Sequence, residues 1–492
     1  MQTEFPDLNQ TLDPNNTEEW EALRAQGHHM LDDIFNSLIQ IPNQPVWQPI
    51  PLEKRKQFTQ ALPKNKNSLE NAHTIFMQDI LPYTSRNTHP GFMGWIQGGG
   101  TPIGMLADML AAGLNANVGG RDQIPLEVER QVLQWMRELF SFPDTASGIF
   151  VSGASLANYM SILIARTACL GKEVRYTGLS HSSKKLIAYT SKGAHGCIAQ
   201  GMDLAGLGIN ALRVIPMNAD YQIDLTDLKH AIKEDREKGY TPFFIAATAG
   251  TVDVGAIDDL DAIATLAKEE NLWFHVDGAY GALAMLSKEI APRLKGIERA
   301  DSLAFDFHKW AQVPYDAGFI MVRNGQLHYD TFAAPANYLR RESRGLSGGS
   351  PWPCDFGPDL SRGFRALKAW FTIQVYGQEQ LGNIIFKTCC LAQYLKQKIQ
   401  QEPRLELLAP VSLSIVCFRY KGENPDDLNA NIVATLQEQG IAAPSMTTIN
   451  QALAIRAAII NHRTTPQQID AMLEAILKIG NELSRTSHST SI

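Results

Sequence analysis

The chain has 492 residues, is 44% hydrophobic and 19% charged, and carries a net charge of −7 with a pI near 6.0. That composition fits an ordinary globular protein of two or three structural units with room for a large core. With no long basic run, it argues against nucleic acid or an anionic membrane as the main partner.

Residues 1–85 read as helical and without strands. Trp20, Leu23, Met30, Leu31, Ile34 and Leu38 recur at helical spacing over residues 18–39. Pro42, Pro45, Pro49 and Pro51 end that helix, and a second is expected over residues 51–62. Helices without a sheet make a poor core alone, so this segment is expected to pack on another surface, such as a second subunit. The pair His28-His29 lies in its polar part and reads as solvated rather than metal-binding.

From 86 to 375 the pattern alternates. Short apolar, β-rich runs fall at 148–151, 186–189, 243–247, 272–276, 302–305 and 318–322, with helical stretches such as 156–169 and 260–269 between them. The alternation predicts a large α/β domain with a mainly parallel sheet. From 376 to 483, a helix at 378–400, strand candidates at 412–419 and 452–458, and an amphipathic helix at 466–483 predict a smaller α+β domain. Residues 484–492 are Ser/Thr-rich and are expected to fray. The N-terminus lacks a basic stretch followed by an apolar one, and no apolar run reaches about 18 residues. The six cysteines show neither CxxC nor disulfide spacing and read as reduced thiols. The expectation is a cytoplasmic protein without a signal peptide or membrane span.

Chemistry is concentrated at the ends of the apolar runs. Asp277 follows the run 272–276, and Gly278 and Ala279 beside it leave room for a flat ring. In open α/β sheets ligands sit outside the carboxyl ends of strands, so Asp277 is placed to face one. Lys309, in Phe307-His308-Lys309-Trp310, sits between aromatics just after a strand, although lysines normally occupy solvated faces. A lysine amine can join an aldehyde, and a carboxylate can keep a pyridine nitrogen protonated. Pyridoxal phosphate (PLP) chemistry needs that pair. Ser152-Gly153-Ala154-Ser155 opens a helix whose N–H groups suit a phosphate, and Thr251 ends another strand. His195 is an imidazole able to stack or to move a proton. Gly98-Gly99-Gly100 follows no convincing strand, which disfavours a dinucleotide site.

Taken in order, Ser152–Ser155, Ala194-His195, Thr248–Thr251, His275–Ala279 and His308-Lys309 resemble the motifs of the PLP-dependent group II amino-acid decarboxylases. The resemblance covers about residues 75–480 and implies the PLP-dependent transferase fold type I, a homodimer and a small-molecule amino-acid substrate. It implies that Lys309 binds PLP covalently, that Asp277 faces the pyridine nitrogen, and that His195 stacks opposite Ala279. It places Ala154, Ser155, Thr251 and His308 near the phosphate. Tyr338 is expected to return a proton to the substrate carbon, and Arg456, His89 and Phe92 to meet the substrate. The implied reaction is decarboxylation of an L-amino acid, expected to be aromatic, to its amine and carbon dioxide. Histidine, 2,4-diaminobutyrate and acidic amino acids are alternative substrates. An oxidative aldehyde synthase or aminotransferase on the same fold, or a protein without cofactor chemistry, are alternative readings.

Two departures stand out. Asp306-Phe307 replaces the family's Asn-Pro, which puts a carboxylate near the phosphate. Gly91 replaces bulkier residues and is expected to widen the pocket. Trp95 and Trp352 are further candidates for flat apolar walls.

Overall fold

The computed structural model describes residues 10–334 and 340–489. The first helix, α1 (Thr17–Gln40), starts where the Asn16 side chain accepts the Glu19 N–H, with Glu18 and Glu19 in the first turn. Its apolar positions find no core: no residue of α1 is buried, and Trp20 and Ile39 are exposed. Next come α2 (Leu52–Gln57), shorter than expected, and α3 (Leu69–Ile75), capped by Ser68.

A two-residue strand, β1 (Phe92–Met93), precedes α4 (Pro102–Leu114) and α5 (Ile124–Phe140). Strand β2 (Ser147–Val151) then runs into α6 (Ala154–Leu170). The following strands are β3 (Leu186–Ser191), β4 (Leu212–Ile215), β5 (Thr241–Thr248), β6 (Trp273–Asp277), β7 (Ser302–Asp306) and β8 (Gly318–Val322). They form one seven-stranded sheet in the order β2-β8-β7-β6-β5-β3-β4. The pairs from β7 through β6, β5 and β3 to β4 are parallel, and β8 is antiparallel to both neighbours. Every residue of β3, β7 and β8 is buried, as layers on both sheet faces require.

A second sheet contains β9 (Leu405–Leu407), β10 (Ile415–Tyr420), β11 (Ala443–Ile449) and β12 (Ala452–Ala458), with β1 added parallel to β11. Residues 92–93, expected in the large domain, therefore contribute a strand to the C-terminal sheet. The helix Arg365–Gln401 connects the two parts and breaks at Gly377 (φ 69°), close to the boundary expected at 375. The last helix, Pro466–Ser489, packs on the second sheet through Ile469, Met472 and Ile476.

Candidate active site

The ends of β2, β5, β6 and β7 point to one side of the large sheet. There Ser152, Thr248, Asp277 and Asp306 help to line a cavity of about 500 Å³ that also contains Lys309. This is where an open parallel sheet places its ligands. A larger recess of about 850 Å³ opens at the opposite strand ends, beside Thr241 and Trp273. It contains the surface ion pair Arg236–Glu270 and neither Lys309 nor Asp277, so the smaller cavity carries the chemistry.

Asp277 is 3% exposed. Its Oδ1 accepts the Ala279 N–H at 3.1 Å, and its Oδ2 accepts Asn158 Nδ2 at 3.0 Å. Burial pushes the carboxyl above its usual range, opposed by the Ala279 N–H and the charge of Lys309. Asn158 belongs to a buried chain. Trp273 Nε1 donates to Ser302 Oγ at 2.7 Å, and Ser302 Oγ lies 2.9 Å from His275 Nδ1. His275 Nε2 in turn meets Asn158 Oδ1 at 2.7 Å. Burial holds the His275 pKa at about 3, so the ring is neutral and its single N–H points at Asn158. The sequence reading missed this chain. Its one signal was an amide on the apolar face of α6, one turn after Ala154.

Lys309 Nζ lies 2.9 Å from Asp306 Oδ2. Asp306 Oδ1 accepts the Ala154 N–H at 2.7 Å. The residue that replaces the family's Asn therefore faces the lysine and the N-terminus of α6, where a carboxylate is favoured. This corrects the expectation for Ala154: it lines the cavity, but its N–H is taken by Asp306, leaving Ser155 as the small residue next in line. Phe307 uses the N–H that proline lacks to donate to Ala317 O at 2.8 Å. Its ring stacks on Phe150 at 5.3 Å.

His308 lines the cavity, its Nδ1 accepting the Ala317 N–H at 3.0 Å. Its ring lies 4.3 Å from that of Tyr315, a further wall residue that sequence did not single out. Burial and Asp306 push the Tyr315 hydroxyl up to about 12. His195 also lines the cavity; its Nδ1 accepts the Cys197 N–H at 3.1 Å, so Nε2 is the ring nitrogen left to donate.

Five expectations need correction. Thr251 is buried, and its Oγ1 accepts the Ala256 N–H within its own turn, outside the cavity wall. His89 Nδ1 accepts the Gly91 N–H at 2.9 Å and its Nε2 meets Gln44 O at 3.0 Å, so it fixes a turn. Phe92 packs with Val46 and Ala443 against the second sheet, and Trp95 lines the cavity in its place. Gly91 is small because a Cβ there would lie 3.1 Å from Ile441 O, away from the cavity. Trp352, the other aromatic candidate, is buried with its Nε1 on Gly348 O. Arg456 does reach the cavity, yet it is clamped to Val252 O, Asp253 O and Ser445 Oγ. Tyr338 lies outside the described residues.

The family model for the pyridoxal-dependent decarboxylase conserved domain matches residues 51–421. An aromatic-L-amino-acid decarboxylase of Bacillus atrophaeus is 30% identical over 478 residues, spanning 94% of this chain and 96% of its own. Tryptophan decarboxylase 2 of Oryza sativa subsp. japonica is 27% identical over 478 residues, with 92% and 95% covered. The crystal structure of Catharanthus roseus tryptophan decarboxylase in complex with L-tryptophan aligns with a TM-score of 0.85 at 25% identity, covering 96% of this chain and 100% of that one. The fold is type I of the PLP-dependent enzymes, as the motifs implied.

Proposed function

Because the chain belongs to the pyridoxal-dependent decarboxylase family, and so is a PLP-dependent carboxy-lyase acting on an amino acid, we propose that its substrate is an aromatic L-amino acid. The carrying observation is the cavity wall. Trp95, Ile96, Val252 and Met446 are apolar, and the only Lys or Arg among the described lining residues are Lys309 and Arg456. Lys309 is paired with Asp306 and Arg456 is clamped to three acceptors, so an acidic side chain would meet no uncommitted cation. A flat apolar side chain would lie against Trp95. Asp253 in the same wall favours a second reading, histidine or 2,4-diaminobutyrate.

The residues present fit the cofactor: a lysine at the cavity floor, a buried carboxylate fixed by a neutral relay, and the opening of α6 beside them. In this reading Lys309 would hold the cofactor aldehyde, Asp277 would keep a proton at the pyridine nitrogen, Ser155 and His308 would serve the phosphate, and His195 and Ala279 would flank the ring. When bound, PLP supplies an electron-accepting ring for the pair left as carbon dioxide departs. The walls orient the substrate so that its α-carboxylate bond is the one aligned to break, and they exclude water. His195 Nε2 is positioned to hold a proton at the wall, and Tyr338 remains the expected donor to the substrate carbon.

The enzyme is further proposed to be a cytoplasmic homodimer. All six cysteines are free thiols, as a reducing compartment favours, and α1 leaves apolar residues without a partner. Among the described residues no helix is long and apolar enough to cross a membrane.

The test is a product assay on aromatic, basic and acidic L-amino acids, in air and without oxygen. Aromatic amines formed without oxygen are expected. An oxygen-dependent aldehyde, or faster turnover of a basic or acidic substrate, would overturn the reading. Lys309→Ala is expected to lose turnover and the visible absorption of bound cofactor together.

A further inference from the structure

Helices α1 and α3 bring three metal-binding side chains together outside the wall of the active-site cavity. His29 and Asp33 are one turn apart on α1, the spacing that puts two ligands on one helix face. His73 comes from α3. Asp33 Oδ2 lies 3.5 Å from His29 Nε2 and 3.5 Å from His73 Nε2. One ligand atom from each of the three residues falls within 4.8 Å of the others.

Those separations are long for hydrogen bonds, which weaken steeply toward about 3.6 Å. They are close to what a tetrahedral ion imposes. With metal–ligand distances of about 2.0–2.1 Å, its ligand atoms stand about 3.3–3.4 Å apart. Each histidine nitrogen thus already stands near the required distance from the shared carboxylate oxygen, and the two rings, within 4.8 Å of each other, would close together on one ion. The second layer is also present. The Gln26 side-chain amide lies 3.3 Å from His73 Nδ1, and with the amide turned over its oxygen would accept the Nδ1 proton. In that orientation the contact would leave the Nε2 lone pair for a metal and fix the ring. His73 is buried and His29 is exposed, so the remaining positions open to water.

We propose that His29, Asp33 and His73 form a binding site for a divalent transition metal, zinc first, that fastens α1 to α3. Two imidazoles and a carboxylate select such ions over calcium or magnesium, which take oxygen ligands. The helical pair His28-His29 then divides: His29 is a ligand, and His28 is not among the three.

The experiment uses the full-length holoenzyme, freed of metal with a chelator and titrated with zinc chloride by calorimetry at pH 7.5. One equivalent per chain is expected. His29→Ala and Asp33→Asn should each weaken binding at least about tenfold while leaving amino-acid turnover unchanged. His29 is exposed, so its variant reports on binding even if His73→Ala fails to fold. No saturable binding, or binding unaltered in His29→Ala, would overturn the proposal.

Discussion

Asp277 shows how a single side chain is aimed. A carboxylate buried at a strand end could turn toward several donors, but the relay from Trp273 through Ser302, His275 and Asn158 leaves it one orientation. Asn158 is the link whose removal cuts the relay. Asn158→Ala would leave the His275 Nε2–H unpaired in the interior, at about 1–3 kcal/mol, and Asp277 Oδ2 with only the weak Cys197 thiol donor. We expect a lower unfolding midpoint together with weaker retention of PLP, followed by its absorbance during dialysis. Unchanged retention would mean that the relay serves packing alone. Lys309, Asp277 and His195 were legible in the sequence because each follows an apolar run and carries unusual chemistry for its place. His89 and Thr251 misled for the same reason, since polar residues beside strands read as ligands. In both, the side chain answers a backbone N–H two to five residues away, and only the folded turn shows that.

At the scale of elements, the lysine loop is held from two sides. Beneath it, Phe305, Phe307, Phe319 and Phe150 form a cluster with ring centres 4.9–5.9 Å apart. Above it, the Gly98 N–H donates to His308 O at 3.2 Å, and a Cβ on Gly98 would fall against the carbonyl oxygens of His308 and Lys309. The first glycine of the run that failed as a dinucleotide motif thus packs closely on the lysine backbone. Gly98→Ala is expected to cost about 1–3 kcal/mol and to displace Lys309. Thermal scans and the yield of bound cofactor should fall together. Near β2, Arg362 and Glu129 form a buried pair at 2.6 Å, and both also bond Phe150 backbone groups. Glu129→Ala would strand a buried guanidinium, at about 3–5 kcal/mol. Adding Arg362→Met should recover much of that loss in urea unfolding; no recovery would show that the pair is not coupled. Strand positions were readable because fully buried parallel strands are continuous apolar runs. β11 was not among the strand candidates, since Pro444 and its two threonines interrupt any apolar run; a short turn joins it to β12, but its other partner, β1, lies far away in sequence.

At the scale of the whole molecule, buried titratable groups set how stability responds to pH. Burial depresses His275 and His328 to about 3 and His462 to about 4, against an ordinary value near 6.5. As pH falls through 6.5 the unfolded chain binds protons that the folded chain refuses, so the stabilisation present above 6.5 is progressively lost. Asp258 acts in the opposite sense. Its burial raises the carboxyl from 3.8 to about 6, so below that pH the folded state binds the proton first and gains. Burial raises Asp277 and Asp301 as well, with the same sign. The histidines begin to titrate at higher pH, and Asp258 offsets them only from about 6 downward. The expected profile is therefore a fall of about 2 kcal/mol between pH 7.5 and 6. Urea midpoints measured with saturating PLP, a chelator and fixed protein concentration would trace it. His328→Phe, remote from the cavity wall, should remove one histidine's share of the fall. A midpoint that holds level or rises from pH 7.5 to 6 would mean that these rings are protonated in the fold, and the neutral relay behind Asp277 would have to be redrawn.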